Sequence, residues 1–315
     1  MLRFIARRLV ALVPVIVILS VAVFLMIHLT PGDPVRLMLG DSATQQSIAA
    51  LRQALGLDQP LPVQYLHWAF QAVRGNLGRS IVTNEPVTQA ILTRLPVTLE
   101  LSVLAMLVAL VIGLPTGVVA ALRRNSWLDY GSTTLALSGI SLPSFFLGIL
   151  LILVLSLRFR ALPPGGYVPF VTNPVQNLKL MIMPSLALGA ALAGIISRMM
   201  RSSLLEVLDA DYVRTARSKG LRETQIVVRH AIRNALLPVV TIVGLQTGTL
   251  LGGAILTETI FTLPGVGRLI VDSIFARDFP MVQGVVLFLA LVRVLSNLAT
   301  DVVYGFVDPR ISYSS

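Results

Sequence analysis

The run Asp211-Tyr212-Val213-Arg214-Thr215-Ala216-Arg217-Ser218-Lys219-Gly220-Leu221 is a polar island between apolar stretches, and Arg222, Arg229, His230 and Arg233 follow it closely. Its residue types suit docking by charge and shape, because no His/Asp/Glu or Ser/His cluster is present to do catalysis. Asp211 is placed to cap a helix start, and Gly220 to end that helix in the left-handed conformation with Leu221 folding back toward Ala216. The spacing predicts a helix of about two turns. Tyr212, Ala216 and Gly220 stand at successive i+4 positions and predict a small face below an aromatic knob, open to close approach by another helix or a protein cleft. Arg214, Arg217 and Lys219 surround that face and suit an acidic rim or lipid phosphate. The plainer reading is a juxtamembrane basic loop.

Other chemistry is thin. There is no cysteine, so disulfides and thiolate metal sites are excluded, and His28, His67 and His230 are too scattered for a zinc cluster. No Gly-x-x-x-x-Gly-Lys-Ser/Thr phosphate loop occurs. Three charges fall inside apolar segments: Glu100, Arg293 and Asp301. Arg293, Asn297 and Asp301 repeat at i+4 and share one helix face, either as an internal polar clasp or as part of a pathway or interface. Gly244, Gly248 and Gly252 form consecutive small-x-x-x-small steps, as do small residues around Gly189 and Gly194, and predict close helix contact or pathway lining. Glu258, toward the outer end of its segment, is a candidate contact for an outer partner or a substrate amino group.

The elements that position these residues are membrane helices. Of 315 residues, 55% are hydrophobic and 13% charged, with a mean hydropathy of +0.82. A soluble chain of this length needs more charge to cover its surface. Six stretches are long and apolar enough to cross a hydrocarbon core of roughly 20 helical residues: Leu9 to Leu29, Val97 to Leu122, Thr133 to Leu157, Leu180 to Ile196, Ala235 to Leu256 and Val282 to Phe306. The formal charge of +10 has its explanation in topology. Arg3, Arg7 and Arg8 directly precede the first span, and Arg123, Arg124 and the island fall on the same side; basic residues opposite are spread over longer loops. The positive-inside rule places both termini in the cytoplasm and excludes nucleic acid as the partner the charge serves. The first span is expected to remain attached, because no small-x-small cleavage site precedes Pro31-Gly32-Asp33-Pro34.

The chain thus reads as an all-α polytopic membrane protein. Residues 1–30 hold the first span, 31–96 an outer loop, 97–306 a five-helix core with a cytoplasmic loop at 201–234, and 307–315 a cytoplasmic tail. In the outer loop Leu51 to Leu57, Val63 to Val73 and Val87 to Arg94 read as short helices separated by Pro60, Pro62 and Pro86. Tyr65, Leu66, Trp68, Ala69 and Val73 are expected to pack against the membrane helices. The loop Arg158 to Asn177, with Pro163-Pro164-Gly165-Gly166, is expected to be irregular. Arg123, Arg124 and Asp129, in the stretch Arg123 to Tyr130, are expected to form a second cytoplasmic contact, and Trp127 beside them suits the headgroup level.

The island, followed by Arg229-His230-Ala231-Ile232-Arg233-Asn234-Ala235-Leu236-Leu237-Pro238, resembles the cytoplasmic signature loop of the dipeptide and oligopeptide permease family of bacterial ATP-driven (ABC) importers. Pro31-Gly32-Asp33-Pro34, Leu55-Gly56-Leu57-Asp58-Gln59-Pro60, Gly75-Asn76-Leu77-Gly78, Leu256-Thr257-Glu258-Thr259-Ile260-Phe261, Pro264-Gly265-Val266-Gly267-Arg268, Arg277-Asp278-Phe279-Pro280 and Asp308-Pro309-Arg310-Ile311 fit the same family. Arg214-Thr215-Ala216 replaces the Glu-Ala-Ala triplet of the broad importer signature, while Gly220 keeps its place.

The resemblance implies a type I ABC importer permease that binds no cofactor, leaving ATP and Mg to partner subunits. It further implies a second related permease, two cytosolic ATPases and an extracytoplasmic solute-binding protein in an inner membrane, with Asp211, Tyr212, Arg214, Thr215, Ala216, Arg217, Lys219 and Gly220 coupling to the ATPases. Dipeptides or oligopeptides are the expected cargo, with glutathione or nickel complexes the alternative. A secondary transporter would bury coupling carboxylates in broken midplane helices, and a membrane enzyme would gather catalytic groups at one interface; neither pattern is evident.

Overall fold

A computed structural model describes residues 2–29, 35, 44–54 and 58–307. The motifs at Pro31–Pro34, Leu55–Leu57 and Asp308–Ile311, and the tail, lie outside the described residues. The described elements are helical: α1 (Leu2–Leu29), α2 (Gln45–Ala54), α3 (Leu61–Val73), α4 (Val87–Leu122), α5 (Trp127–Ser141), α6 (Ser144–Leu151, continuing as a π-helix over Ile152–Arg158), α7 (Pro174–Leu208), α8 (Asp211–Ser218), α9 (Ile232–Ile260), α10 (Val266–Phe275) and α11 (Phe279–Val307). One helical turn at Glu223–Gln225 and a π-helix at Ile226–Ala231 lead directly into α9. The chain divides into two compact units, Met1–Thr98 with Pro264–Leu295, and Leu99–Leu263 with Ser296–Ser315.

Among the described residues four helices are long and apolar enough to cross a membrane: Val87–Leu122, Pro174–Leu208, Glu223–Leu250 and Phe279–Thr300. A fifth counts if the bent pair Trp127–Ser141 and Ser144–Arg158 is one span. That pair occupies the stretch Thr133 to Leu157 expected as one span, and it is broken within it. The two pieces meet at 104°, because Pro143 has no N–H to give the helix and holds Leu142 extended at ψ 124°. The first segment forms a helix over Leu2–Leu29, within which Val10–Met26 is an apolar stretch among the described residues. A correction concerns Val87 to Arg94. It is not a separate short helix but the first turns of α4, which runs on through Pro96 and Pro115.

In the first unit, α3 lays aromatic side chains on α1. Phe24 meets Tyr65 edge-on at 5.5 Å and Trp68 at 5.9 Å between ring centroids, and the Ser20 and Tyr65 hydroxyls are 2.8 Å apart. Leu66 and Val73 stay exposed at 66% and 89%, so only part of the stripe expected to pack does so. Asp278 organises the corner before α11. Its carboxylate accepts from the Ser80 hydroxyl and from the Ile81 amide at 3.3 Å, and Asp278 is itself buried. The Val266 amide donates to Thr98 Oγ1 at 2.9 Å. The motif residues at 75–78 and 277–280 meet at this corner: a Cβ on Gly78 would lie 3.9 Å from Pro280 Cβ.

The second unit is built around α7. Asn173 caps its start by accepting from the Gln176 amide at 3.0 Å, with Pro174 at the first helical position. Its small residues let neighbours approach to backbone contact. A Cβ on Gly113 or Gly117 of α4 would sit 2.7 Å from the Ala193 carbonyl and 2.5 Å from that of Ser197; one on Gly189 would sit 2.6 Å from Ala105 O. On the α5 side, a Cβ on Gly139 would lie 2.8 Å from Ala190 O, and one on Gly194 would collide with Ala136 O. Small residues here bring helices together by dispersion, since lipid offers no hydrophobic driving force between them.

Candidate functional site

The polar island folds as a short helix and a tight return. Val213 and Ala216 are buried against Ile226 and Val207, so α8 packs on the π-helix at the foot of α9. Gly220 stands at φ +77°. Its amide donates to Arg217 O at 2.9 Å, and the Leu221 amide reaches back to Ala216 O at 3.4 Å. This is the left-handed helix end that the spacing predicts, and it needs glycine because a side chain there is strained. Tyr212 is fixed from outside α8 by Asn234, whose Nδ2 donates to the phenolic oxygen at 3.0 Å and to His230 O at 2.8 Å.

Two expectations for this helix need correcting. Asp211 does not cap it. The N-cap is Ala210, without a side-chain bond; the Asp211 side chain is 97% exposed and lies 3.4 Å from Arg214. The Tyr212–Ala216–Gly220 face is open only at its two ends: α8 turns Ala216 inward to cover Ile226, while Tyr212 and Gly220 stay exposed. The exposed surface also carries Asp211, Arg214, Thr215, Arg217, Ser218 and Lys219. Thr215 and Ser218 donate back to Asp211 O and Arg214 O, at 2.9 and 3.1 Å. Arg217 is drawn sideways onto Glu223 at 2.7 Å. Arg214 and Lys219 are left as the outward positive charges of the helix.

The second contact is reshaped by an ion pair that spacing does not reveal. Arg201 of α7 grips Asp129 of α5 with two parallel bonds, Nε to Oδ1 at 2.7 Å and Nη2 to Oδ2 at 2.8 Å. Asp129 also accepts from the Asn125 amide at 3.0 Å and from Thr133 Oγ1 at 3.4 Å. It is 3% exposed and therefore cannot present itself to a partner. Asp129 instead fixes the corner Arg123–Ser126, where Arg123 and Arg124 are exposed and Asn125 adopts φ +62°. One acidic and one basic residue on two helices, 72 positions apart, leave no periodic signal, which is why the pair escapes sequence reading.

The remaining candidates are scattered. Glu100 accepts from the Tyr167 hydroxyl at 2.7 Å, while its Oε1 is buried without a hydrogen-bond partner. Tyr167 lies in the loop before α7; burial first, and the Glu100 carboxylate second, push its phenol up to about 12, so it stays the donor. Glu258 is completely buried, as are Phe261 and Leu263 after it in the chain, and it is not the exposed outer contact expected of it. Its carbonyl closes the end of α9 by accepting from the Leu263 amide at 2.8 Å. The glycine row of α9 splits. Thr300 donates to Gly244 O at 2.9 Å and crowds its α-carbon, Gly248 is buried, and Gly252 has nothing within 4 Å of a built Cβ. Arg293 and Asn297 are exposed on α11, and the Asp301 end of the expected clasp lies outside the described side chains.

Residues 113–313 match the family described as binding-protein-dependent transport system inner membrane component, and residues 1–102 match its N-terminal family. The glutathione transport system permease protein GsiC of Escherichia coli K12 is 46% identical over 313 residues, covering 99% of this chain and 100% of that protein. The GsiC of Salmonella choleraesuis is 45% identical over the same coverage. Among solved structures, an inward-facing MetNI methionine ABC transporter aligns at TM-score 0.55 and 19% identity over 70% of this chain and 97% of that one. An amino acid ABC transporter with histidines aligns at TM-score 0.52 and 16% identity, over 71% and 95%; both likenesses concern the fold. On a match that spans both parts of the sequence and relatives equivalent from end to end, the chain belongs to the binding-protein-dependent transport system inner membrane components, the multi-pass permease subunits of ABC importers.

Proposed function

We propose that this permease carries glutathione, a small anionic tripeptide, across the inner membrane. The observation that carries the reading is identity of 46% to GsiC over 99% of this chain and 100% of that protein. Import of di- and oligopeptides is the second reading, favoured by the motifs shared with that permease family. In either case six crossings with both termini cytoplasmic account best for the arginines before α1 and around α8. The permease pairs with a second, homologous one, engages two ATPases, and receives solute from an extracytoplasmic binding protein.

The exposed face of α8, with Arg214 and Lys219, docks in a cleft of an ATPase subunit, and Arg123 and Arg124 make the second contact. ATP-driven closure displaces α8 as a rigid body. Because Val213 and Ala216 are packed on Ile226, the displacement passes to α9, and a change in helix tilt switches the side to which the cavity opens. Glycines of α9, with Glu100, Arg293, Asn297 and Asp301, belong to the pathway or the permease interface.

The test is uptake into proteoliposomes holding the complete transporter and its binding protein, with labelled glutathione, a dipeptide, an oligopeptide and a nickel complex supplied in turn. ATP-dependent accumulation of glutathione above the others is expected. Uptake of peptides with none of glutathione would replace the first reading by the second. A Gly220→Pro variant that assembles normally is expected to lose solute-stimulated ATP hydrolysis, and undiminished stimulation would remove α8 from the coupling path.

A further inference from the structure

A cavity of about 690 Å³ opens between the start of α5 and the end of α7. Nothing in the transport cycle proposed above uses it. Two arginines stand over it, Arg198 and Arg201, three residues apart and so on one face of α7. Arg201 spends Nε and Nη2 on Asp129, which holds the guanidinium plane in place and leaves Nη1 out of that pair. Arg198 is exposed and has no ion-pair partner among the described residues. Two arginines against one aspartate leave the cavity with a net positive charge, and the hydroxyls of Thr133 and Ser202 add hydrogen-bonding capacity at its wall. Leu137 and Ile195 continue the lining as hydrocarbon. At its edge Tyr130 is 66% exposed, and Trp127, close by on α5, is 79% exposed, as befits aromatic rings at a headgroup layer.

We infer that this cavity is a binding site for an anionic phospholipid, with the headgroup phosphate on Arg198 and Arg201 and an acyl chain along Leu137 and Ile195. The two chemistries sit in the order a lipid needs: positive charge and hydroxyls at one end, aliphatic side chains at the other. A soluble anion would use the first and gain nothing from the second. Asp129 orients Arg201, so the ion pair preorganises the site at the same time as it joins α5 to α7. Assignment to the cytoplasmic leaflet rests on the orientation proposed above; the lipid contact itself is independent of which solute is carried.

The experiment is native mass spectrometry of the assembled transporter released from nanodiscs of equal phosphatidylglycerol and phosphatidylcholine. It reads the ratio of the two lipids retained. Each arginine near a phosphate contributes about fivefold in preference for the anionic lipid, so Arg198→Gln is expected to lower the ratio about fivefold and Arg198→Lys to keep most of it. Arg160→Gln, in another loop, is expected to leave it unchanged. An unaltered ratio in Arg198→Gln, or an equal fall in Arg160→Gln, would overturn the site. So would inorganic phosphate that is itself retained and displaces the lipid, since the cavity then takes a free anion. Absence of retained phosphatidylglycerol in the assembled transporter would show that another subunit fills the cavity. Glutathione or peptide uptake is measured separately, so failure here does not touch the solute assignment.

Discussion

Removing either half of the Asp129–Arg201 pair should cost unequal amounts, and the inequality follows from where each side chain sits. The Asp129 side chain is 4% exposed and that of Arg201 is 31% exposed. In Arg201→Met the carboxylate stays buried with only the Asn125 amide and Thr133 hydroxyl for company. That approaches the penalty of an uncompensated buried charge, about 3 kcal/mol. In Asp129→Ala the guanidinium can turn toward water, and the loss falls to about 1.5 kcal/mol, that of a charge-assisted hydrogen bond and some packing. The double variant leaves no charge stranded. It should be more stable than the sum of the two losses implies, by about 2 kcal/mol of coupling. Thermal unfolding of the purified permease in one detergent, wild type against the three variants, gives all four corners of the cycle. Losses that add within about 0.5 kcal/mol, or a larger loss for Asp129→Ala than for Arg201→Met, would refute the account of the pair as a desolvated clamp.

Gly220→Ala should cost about 1 kcal/mol from the left-handed backbone alone, since the built Cβ meets nothing within 4 Å; Gly220→Asn should cost less, and solute-stimulated ATP hydrolysis should fall in the same order. On α9, Gly252→Ala has open space and should raise the melting temperature through about 1 kcal/mol of helix propensity, whereas Gly244→Ala, whose Cβ would lie 3.0 Å from Thr300 Cγ2, should not. Equal responses at the two positions would show that local crowding does not set the outcome. Difference absorbance against Tyr167→Phe should find the phenol of Tyr167 ionising at about 12 rather than 10.0. The group keeps its proton more tightly folded than unfolded, so its contribution to stability is whole below pH 10.0 and is lost as pH rises toward about 12. In Glu100→Gln part of that elevation should disappear and the part due to burial should remain.

Some of this architecture was legible from residue order and some was not. Apolar stretches around 97–122, 180–196, 235–256 and 282–306 all lie within long helices, because hydropathy reports a requirement every crossing segment shares. The left-handed end at Gly220 was legible too, since a glycine after a short polar helix has few other uses. Which face of α8 is buried was not. Tyr212, Ala216 and Gly220 form an equally regular stripe, and only Ile226, returning through the π-helix, decides that Val213 and Ala216 go inward. The bend at Pro143 was available in principle, but continuous hydrophobicity over 133–157 hides it. The partnerships of Asp129 with Arg201 and of Asp278 with Ser80 depend on tertiary placement, to which one-dimensional spacing is blind.

The seating of α8 on the foot of α9 has a mechanical consequence. With 29 residues, α9 is about 44 Å long, and the short helix grips it at one extremity through Ile226 and, by way of Tyr212, Asn234. Pro238 sits four residues beyond Asn234 and supplies no N–H to that carbonyl, so the rod is weakest just past the grip. In the coupling proposed above it would act as a long oar with its handle at the polar island and its pivot one turn above, at Pro238. About that pivot the arm from Pro238 to Ile260 is about 33 Å long, so a swing of about 10° carries its far end roughly 6 Å, and a small stroke from below becomes a side-chain-sized displacement at the other end.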